Sequence, residues 1–354
     1  MIYASAGSEA FNAWLDQAVR RVADDAQAAL GQNLVALVLG GGYGRGEGGV
    51  VVLDGQERPY NDLDFTVIVR RKQGVAAALA PVSRCGREAA GVEVDFSRPL
   101  TEDDVAHWPR WLMWQDLLNG HVVVKGPADI LARLAPASLR EPLPAIEATR
   151  LLLNRGAGLL WAMRVARGCE AAPDSDFVRR NYYKCALALG DAALIAWERY
   201  TTLCAGRDQR LAALEGEREE VRRLGAGEMY AAALRFKVSP GGADLPAPDD
   251  KALGAMAAAW GRVFLGVENR RTGKGHRTLD EYVAWRGLRE PELHTPWRLA
   301  RNAAQNAARR ALSWRYGRED LYRQAPRLLG VAGPAAADWP AESARFLETW
   351  KRFN

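Results

Sequence analysis

Hydrophobic and polar positions follow two different periods along this chain, and the change comes near residue 140. In residues 8–30, apolar side chains recur at spacings of three and four, which predicts an amphipathic helix built on Phe11, Leu15, Val19 and Val22. The apolar run 34–39 (LVALVL) ends at three consecutive glycines and predicts a buried strand that enters a turn. After residue 146, helical periodicity alone remains.

The remaining elements follow from the same patterns. The β-branched runs 50–53 and 63–69 flank the turn-rich segment DGQERPYN, which predicts that the two runs pair as a hairpin across that turn. Further strands are predicted at 91–96 and 121–124. Helices are predicted at 74–80, 102–118, 127–134, 146–168, 174–204, 208–235, 249–268 and 297–314.

These elements predict an α+β fold in two domains. A small mixed sheet with flanking helices is expected in residues 1–140, followed by the Pro-rich linker REPLPA at 140–145. Residues 146–354 are expected to form a helical domain, because no segment there has convincing strand character. This second domain is expected to close over the first and to shape a ligand site.

Composition narrows the function classes. With 48% hydrophobic and 26% charged residues, the chain is typical of a globular protein. Its formal charge of +5 comes mainly from arginines on an Ala-rich background, so nucleic acid is the less favoured partner. The four cysteines include no CxxC pair, which argues against structural zinc and against a disulfide framework. No signal-peptide layout and no long apolar run are present, so a cytoplasmic protein without a membrane partner is expected.

Paired carboxylates provide the first candidate chemistry. Asp62 and Asp64 are two residues apart in a strand-like run, so both side chains should point to one face of the strand. Two like charges repel each other there, and a divalent metal ion removes that repulsion. Mg²⁺ prefers oxygen ligands and binds through a few carboxylates together with substrate phosphates.

The glycine turn at the end of the first strand is the second feature with candidate chemistry. Gly41 and Gly42 have no side chain, so the backbone N–H groups of the turn can approach a phosphate closely. A strand, a glycine turn and two carboxylates on a neighbouring strand are the components needed to bind a nucleoside triphosphate.

The combined pattern LGGGYGRGE…NDLDF resembles the signature of the DNA polymerase β-like nucleotidyltransferase superfamily. In that pattern Gly41 matches the family glycine, Gly42 falls where the family has a serine, and Arg45 begins the Arg-Gly-Glu run. Asp62 and Asp64 match the two metal-binding carboxylates. The resemblance is specific over about residues 34–125.

The resemblance implies further site residues. It assigns the third metal-binding carboxylate, and the general base, to Asp95 in GVEVDF, with Glu93 as the weaker candidate. It implies that Lys184, in the helical segment RNYYKCALALGD, contacts the nucleotide phosphates together with Arg45. Gly42 in place of serine and a longer spacer before Asp62 depart from the family pattern and leave the pose of the triphosphate open.

The function implied is transfer of a nucleoside monophosphate, with AMP from ATP favoured, onto an acceptor hydroxyl. The cofactors implied are two Mg²⁺ ions, or Mn²⁺ in their place, bound by Asp62, Asp64 and Asp95. The acceptor is a small molecule or a protein side chain. Two alternatives stay open: a regulatory or toxin–antitoxin component that binds nucleotide without turnover, and a dinucleotide-binding oxidoreductase, because a glycine-rich turn with an acidic residue about twenty positions later also suits that class.

Overall fold

A four-stranded mixed sheet organises the first part of the chain in the computed structural model, which describes residues 1–241, 246–307, 316–334 and 336–353. The six strands are β1 Leu34–Leu39, β2 Val50–Leu53, β3 Gln56–Pro59, β4 Leu63–Val69, β5 Val94–Phe96 and β6 Val122–Lys125. The sheet has the order β5-β4-β1-β6, and β2 and β3 form a separate two-stranded sheet. Strand β1 is antiparallel to both of its neighbours, whereas β4 and β5 are parallel.

Helices cover both faces of the sheet. Those of this region are α1 Glu9–Leu30, α2 Gly41–Gly44, α3 Val75–Ala90, α4 Glu102–Ala106, α5 Leu112–Asn119 and α6 Ile130–Leu134. On one face, α1 and α3 bury the alternate side chains of β4, including Phe65 and Val67. On the other face, α5 and α6 pack over Val38 and Ile68. The sheet therefore has an apolar core on each face.

The later part of the chain is helical. Its helices are α7 Ile146–Ala166, α8 Phe177–Ala196, α9 Arg207–Glu217, α10 Glu219–Arg222, α11 Gly227–Val238, α12 Asp250–Thr272, α13 Leu279–Ala284, α14 Pro296–Ala307, α15 Arg318–Leu328 and α16 Trp339–Phe353. No strand occurs among the described residues after 144. The predicted α+β fold is confirmed. Among the described helices, none combines the length and the apolar character needed to cross a membrane.

The chain divides into two compact units. Unit 1 contains Met1–Pro144 together with Tyr200–Arg207 and, among the described residues, 234–241. Unit 2 contains the rest, beginning at Ala145. The division falls beside the Pro-rich linker, but two later segments return to unit 1, which the sequence pattern did not predict. The Cys204 N–H donates to the Glu47 carboxylate and the Phe236 ring packs edge-on against the Tyr60 ring, and such contacts hold these segments in unit 1.

Several predicted elements differ from the observed ones. Strand β2 pairs with β3, which lies inside the segment predicted to be a turn, and not with 63–69. The predicted helix 102–118 is broken into α4 and α5, since Pro109 lies between them and lacks a backbone donor. Helix α3 continues through Pro81 to Ala90, and segment 208–235 forms three short helices. Helices α13, α15 and α16 were not predicted, and 308–314 of the helix predicted at 297–314 lies outside the described residues.

Helix α4 begins at a capping box whose strength depends on pH. The Thr101 side chain accepts a hydrogen bond from the Asp104 backbone N–H, and the Asp104 carboxylate accepts one from the Thr101 backbone. A hydrogen bond from Lys72 and those from Thr101 lower the pKa of Asp104 to about 2. Because the folded-state pKa is depressed, this stabilisation is present above about pH 4 and is lost as pH falls towards 2.

We therefore expect Asp104→Asn to reduce the free energy of unfolding by about 1 kcal/mol at pH 7, the usual scale for a cap in contact with solvent. Urea unfolding of both proteins between pH 7 and pH 2 measures this. The difference should shrink towards the acid end of the range. A constant difference across the range would contradict the assignment to the Asp104 charge.

Candidate active site

Strand pairing brings together three carboxylates that are far apart in sequence. Because β4 is antiparallel to β1, the start of β4 lies beside the end of β1, with Leu39 opposite Phe65. Because β5 is parallel to β4, Asp95 lies directly opposite Asp64. Side chains at paired positions point to the same face of a sheet. Asp62 lies one residue before β4, and its carboxylate lies beside those of Asp64 and Asp95.

The three side chains form one cluster. Asp62, Asp64 and Asp95 are all exposed, and one carboxylate oxygen of each lies within 4.8 Å of the others. Burial raises the pKa of Asp95, and the negative charges of Asp62 and Glu93 raise it further. The cluster thus concentrates negative charge at one sheet end, where a cation gains favourable interactions with all three groups.

The glycine turn lies against this cluster. The Gly40 N–H donates to the Asp64 carbonyl over 2.8 Å. Gly41 has φ +61°, and a Cβ added there would lie 2.4 Å from Asp64 Oδ2. Only glycine combines this backbone conformation with this close approach. Gly42 follows, and its carbonyl accepts the N–H groups of Arg45 and Glu47, which closes the turn.

Tyr43 connects the turn to the strand that carries the carboxylates. Its buried hydroxyl donates to the Gly49 carbonyl over 2.7 Å and accepts the backbone N–H groups of Tyr60 and Asn61. The Asn61 side chain in turn accepts the Gly49 N–H. Burial raises the pKa of Tyr43 to about 12, so the hydroxyl keeps its proton at neutral pH. These bonds set the position of Asp62, the next residue. An aromatic residue within the glycine run is their only trace in the sequence pattern.

Arg45 and Glu47 form an ion pair within the loop. Arg45 Nε lies 3.5 Å from Glu47 Oε2, and both side chains are largely buried. The Arg45 stem crosses Gly120, where an added Cβ would lie 2.3 Å from Arg45 Cγ. Glu47 Oε1 also accepts the backbone N–H groups of Cys204 (2.7 Å) and Ala205 (3.3 Å). Glu47 therefore fixes the returning segment 200–207 to the glycine loop, a role that sequence reasoning missed.

This arrangement predicts that Glu47→Leu destabilises the protein. It would leave two backbone donors without an acceptor and the Arg45 guanidinium without its counter-ion, at a cost of about 2–4 kcal/mol. Glu47→Gln keeps an acceptor oxygen at the same place and should cost about 1 kcal/mol. Chemical denaturation of the two variants measures the difference. Equal losses would show that the size of the side chain matters, and not its hydrogen bonds.

Glu93 and Lys184, the other predicted site residues, lie outside the carboxylate cluster. Glu93 is outside the cluster and forms an exposed ion pair with Arg87 at 2.9 Å. Lys184 is exposed on α8, in unit 2. Unlike Lys184, Lys237 belongs to unit 1, and its Nζ lies 2.8 Å from Cys204 Sγ. Phosphate binding by Arg45 and Lys184 stays a prediction.

The carboxylate cluster fits a divalent metal ion of the Mg²⁺ type. Its donors are all carboxylate oxygens, they lie within 4.8 Å of one another, and they are open to solvent and to further oxygen ligands. Burial and, after it, the negative charges of Asp62 and Glu93 raise the pKa of Asp95, and a bound cation offsets the repulsion between these charges. Among the described residues, no other group of three His, Cys, Asp or Glu side chains meets the same distance criterion.

No protein-family model matches the chain, and no curated protein matches it either. The chain is similar to a crystal structure of a nucleotidyltransferase-like protein from Exiguobacterium sibiricum 255-15. The similarity covers 83% of this chain and 91% of the other, with 13% sequence identity and a TM-score of 0.24.

The sheet topology itself bears on the dinucleotide-binding alternative. That class places its glycine turn between parallel strands of a βαβ unit. Here β1 is antiparallel to both neighbours, and the β2–β3 hairpin follows the turn where a crossover helix would be needed. The oxidoreductase alternative therefore has no support in the described fold.

Proposed function

We propose that this protein is a metal-dependent nucleotidyltransferase, which transfers a nucleoside monophosphate, AMP from ATP in the favoured case, onto an acceptor hydroxyl and releases pyrophosphate. One observation carries the proposal. Asp62, Asp64 and Asp95 bring carboxylate oxygens within 4.8 Å of one another at the sheet end where the glycine turn contacts Asp64.

The three carboxylates would hold the metal. Asp62, Asp64 and Asp95 are the ligands expected for two Mg²⁺ ions, or Mn²⁺, which when bound neutralise phosphate charge and lower the pKa of an acceptor hydroxyl. Asp95 is also the expected proton acceptor for that hydroxyl, because it lies opposite Asp64 within the same cluster. The acceptor oxygen forms a bond to the α-phosphorus as the bond to the pyrophosphate oxygen breaks.

The glycine turn would bind the phosphates. At Gly41 and Gly42, N–H groups can approach an anion without interference from a side chain. The Glu47 and Tyr43 contacts hold this loop in place, so a phosphate would meet a preformed backbone. A phosphate contact from Lys184 of α8 stays part of the proposal. A small molecule or a protein hydroxyl is favoured over nucleic acid as acceptor.

Titration calorimetry with ATP and a non-hydrolysable analogue, with and without Mg²⁺, tests the proposal. Wild type is expected to bind in a metal-dependent way, and Asp62→Ala/Asp64→Ala to lose that dependence. Glu88→Ala, which removes an exposed carboxylate of α3, is the matched control and should behave as wild type. Transfer of label from α-labelled ATP to pools of candidate acceptors would then identify the acceptor class.

Two results would count against the proposal. Binding that is the same with and without Mg²⁺, or that survives in the double variant, would separate nucleotide binding from the carboxylate cluster. Metal-dependent binding without transfer to any acceptor, unchanged in Asp95→Ala, would favour the regulatory alternative that binds nucleotide without turnover.

A further inference from the structure

Lys237 lies at the end of α11, in the part of this helix that belongs to unit 1. Its carbonyl oxygen would lie 3.0 Å from a Cβ added at Gly49, and Asn61 Oδ1 would lie 2.8 Å from the same added atom. Asn61 immediately precedes Asp62, the first carboxylate of the cluster. The backbone at Lys237 therefore lies against the residues that lead into the carboxylate cluster.

The ammonium group of Lys237 is linked to the glycine turn through a short series of contacts. Its Nζ lies 2.8 Å from Cys204 Sγ, and the Cys204 N–H donates to Glu47 Oε1 over 2.7 Å. The Glu47 N–H in turn donates to the Gly42 carbonyl over 2.9 Å. All four residues belong to unit 1. The side chain of Lys237 is thus held beside the loop that is proposed to bind phosphates.

Lys237 differs from the other two lysines of unit 1 in its charge compensation. Lys72 pairs with Asp104 and Lys125 pairs with Asp24, each at 2.7 Å. In the described parts of the chain, no carboxylate lies within ion-pair distance of Lys237, and its hydrogen bond goes to a thiol sulfur, which is a weak acceptor. Lys237 is only half-buried, so its ammonium can donate further hydrogen bonds to a ligand.

The arginines beside the loop have partners of their own. Arg45 Nε faces Glu47 Oε2 at 3.5 Å. The buried Arg207 guanidinium donates to backbone carbonyls within residues 201–203. Lys237 is therefore the cation beside the glycine loop whose charge is least compensated by protein groups.

We propose that Lys237 is a phosphate-contacting residue of the nucleotide site, whose ammonium exchanges the Cys204 thiol for the phosphates that the glycine turn binds. A phosphate oxygen is a charged acceptor, and such hydrogen bonds are roughly twice as strong as neutral ones. The flexible four-carbon stem lets the ammonium move from the thiol to a ligand. This inference rests on the proposed function. The family resemblance places its lysine at 184, in unit 2, and assigns no role to Lys237.

Titration calorimetry of the full-length protein in Mg²⁺ tests the inference, with a non-hydrolysable ATP analogue and inorganic tripolyphosphate as probes. Lys237→Met removes the charge and keeps a side chain of similar length. It is expected to weaken the binding of both probes about tenfold or more. Lys125→Met removes the same charge from another lysine of unit 1 and is the matched control. Its affinities should stay within about twofold of wild type.

Cys204→Ala distinguishes a phosphate contact from a structural one. It removes the thiol next to Lys237 but keeps the backbone N–H that donates to Glu47. Its affinity for both probes should equal that of wild type or exceed it, because the ammonium no longer has a competing partner. Lys237→Arg keeps the positive charge and should recover part of the affinity. Equal losses in Cys204→Ala and Lys237→Met would assign Lys237 a structural role and overturn the inference.

The proposed function and this inference can fail separately. Metal-dependent binding that is unchanged in Lys237→Met, or that is lost only in Lys184→Met, would overturn the inference and leave the proposed function standing. Tripolyphosphate binding that depends on Lys237, without transfer to any acceptor, would support the inference and count against the transferase. Absence of binding of both probes to wild type would overturn both.

Discussion

Asp64→Asn is expected to reduce nucleotide transfer by about 10³-fold or more, because it removes a metal ligand at the centre of the cluster and several kcal/mol of charge stabilisation with it. Asp64 lies between Asp62, two residues earlier, and Asp95, its partner across the sheet. Stability should stay the same or rise slightly, since the substitution relieves repulsion between like charges. Steady-state transfer rates at saturating Mg²⁺, together with melting curves, measure the two effects.

Glu93→Gln is the matched control for this prediction. Glu93 is exposed at the same end of the sheet, adds to the negative charge around Asp95, and pairs with Arg87. It lies outside the three-carboxylate cluster. Its substitution should change the rate by no more than about threefold. A large loss in Glu93→Gln, or full activity in Asp64→Asn, would mean that the reaction does not use the cluster as described.

Gly41→Ala is expected to reduce transfer by about 10²-fold, the scale for misplacing a reacting group by roughly 1 Å. The new Cβ would lie 2.4 Å from Asp64 Oδ2, so either the carboxylate or the glycine turn must move. The left-handed backbone at φ +61° adds strain of about 1 kcal/mol or more for any side chain. The steric clash and the backbone strain both act where the glycine turn contacts Asp64.

Gly55→Ala separates these two costs. Gly55 has φ +74° at the β2–β3 turn, and a Cβ there would have no neighbour within 4 Å. This variant should lose about 1 kcal/mol of stability and keep its activity. If Gly41→Ala lost no more activity than Gly55→Ala, the close approach to Asp64 would have no functional consequence. Metal-dependent ATP binding of the two variants, measured by calorimetry, shows whether the loss arises in binding or in the subsequent chemistry.

Glu47 connects the glycine loop to a segment that lies much later in the chain. Its carboxylate accepts two N–H groups from residues 204 and 205, more than 150 positions later in the chain. The same returning segment is anchored by Tyr200, whose hydroxyl lies 3.1 Å from the Asp116 carboxylate, and by the buried Arg207 guanidinium over the Tyr200 ring. The loop predicted to bind phosphate is thus supported by a segment that the sequence assigned to the helical half.

Local patterns in the sequence determined much of unit 1. Strands β1 and β4 occupy the predicted residues, because a run of apolar and β-branched side chains between turn signals has few other conformations that bury it. Alternation along β4 placed Asp62 and Asp64 on one face, and the glycine run predicted a turn after β1. The division between a sheet region and a helical region followed from the change of period.

The tertiary structure alone decided how these parts meet. Sequence spacing cannot reveal that β5 pairs in parallel with β4 and puts Asp95 opposite Asp64, because register depends on packing between distant segments. Nor can it reveal that segment 200–207 returns to unit 1, or that Glu47 accepts the backbone N–H groups of that segment. Each of these features depends on which distant segments pack against one another. Local propensity determines the elements, whereas charge compensation and close approach are settled only when the elements pack.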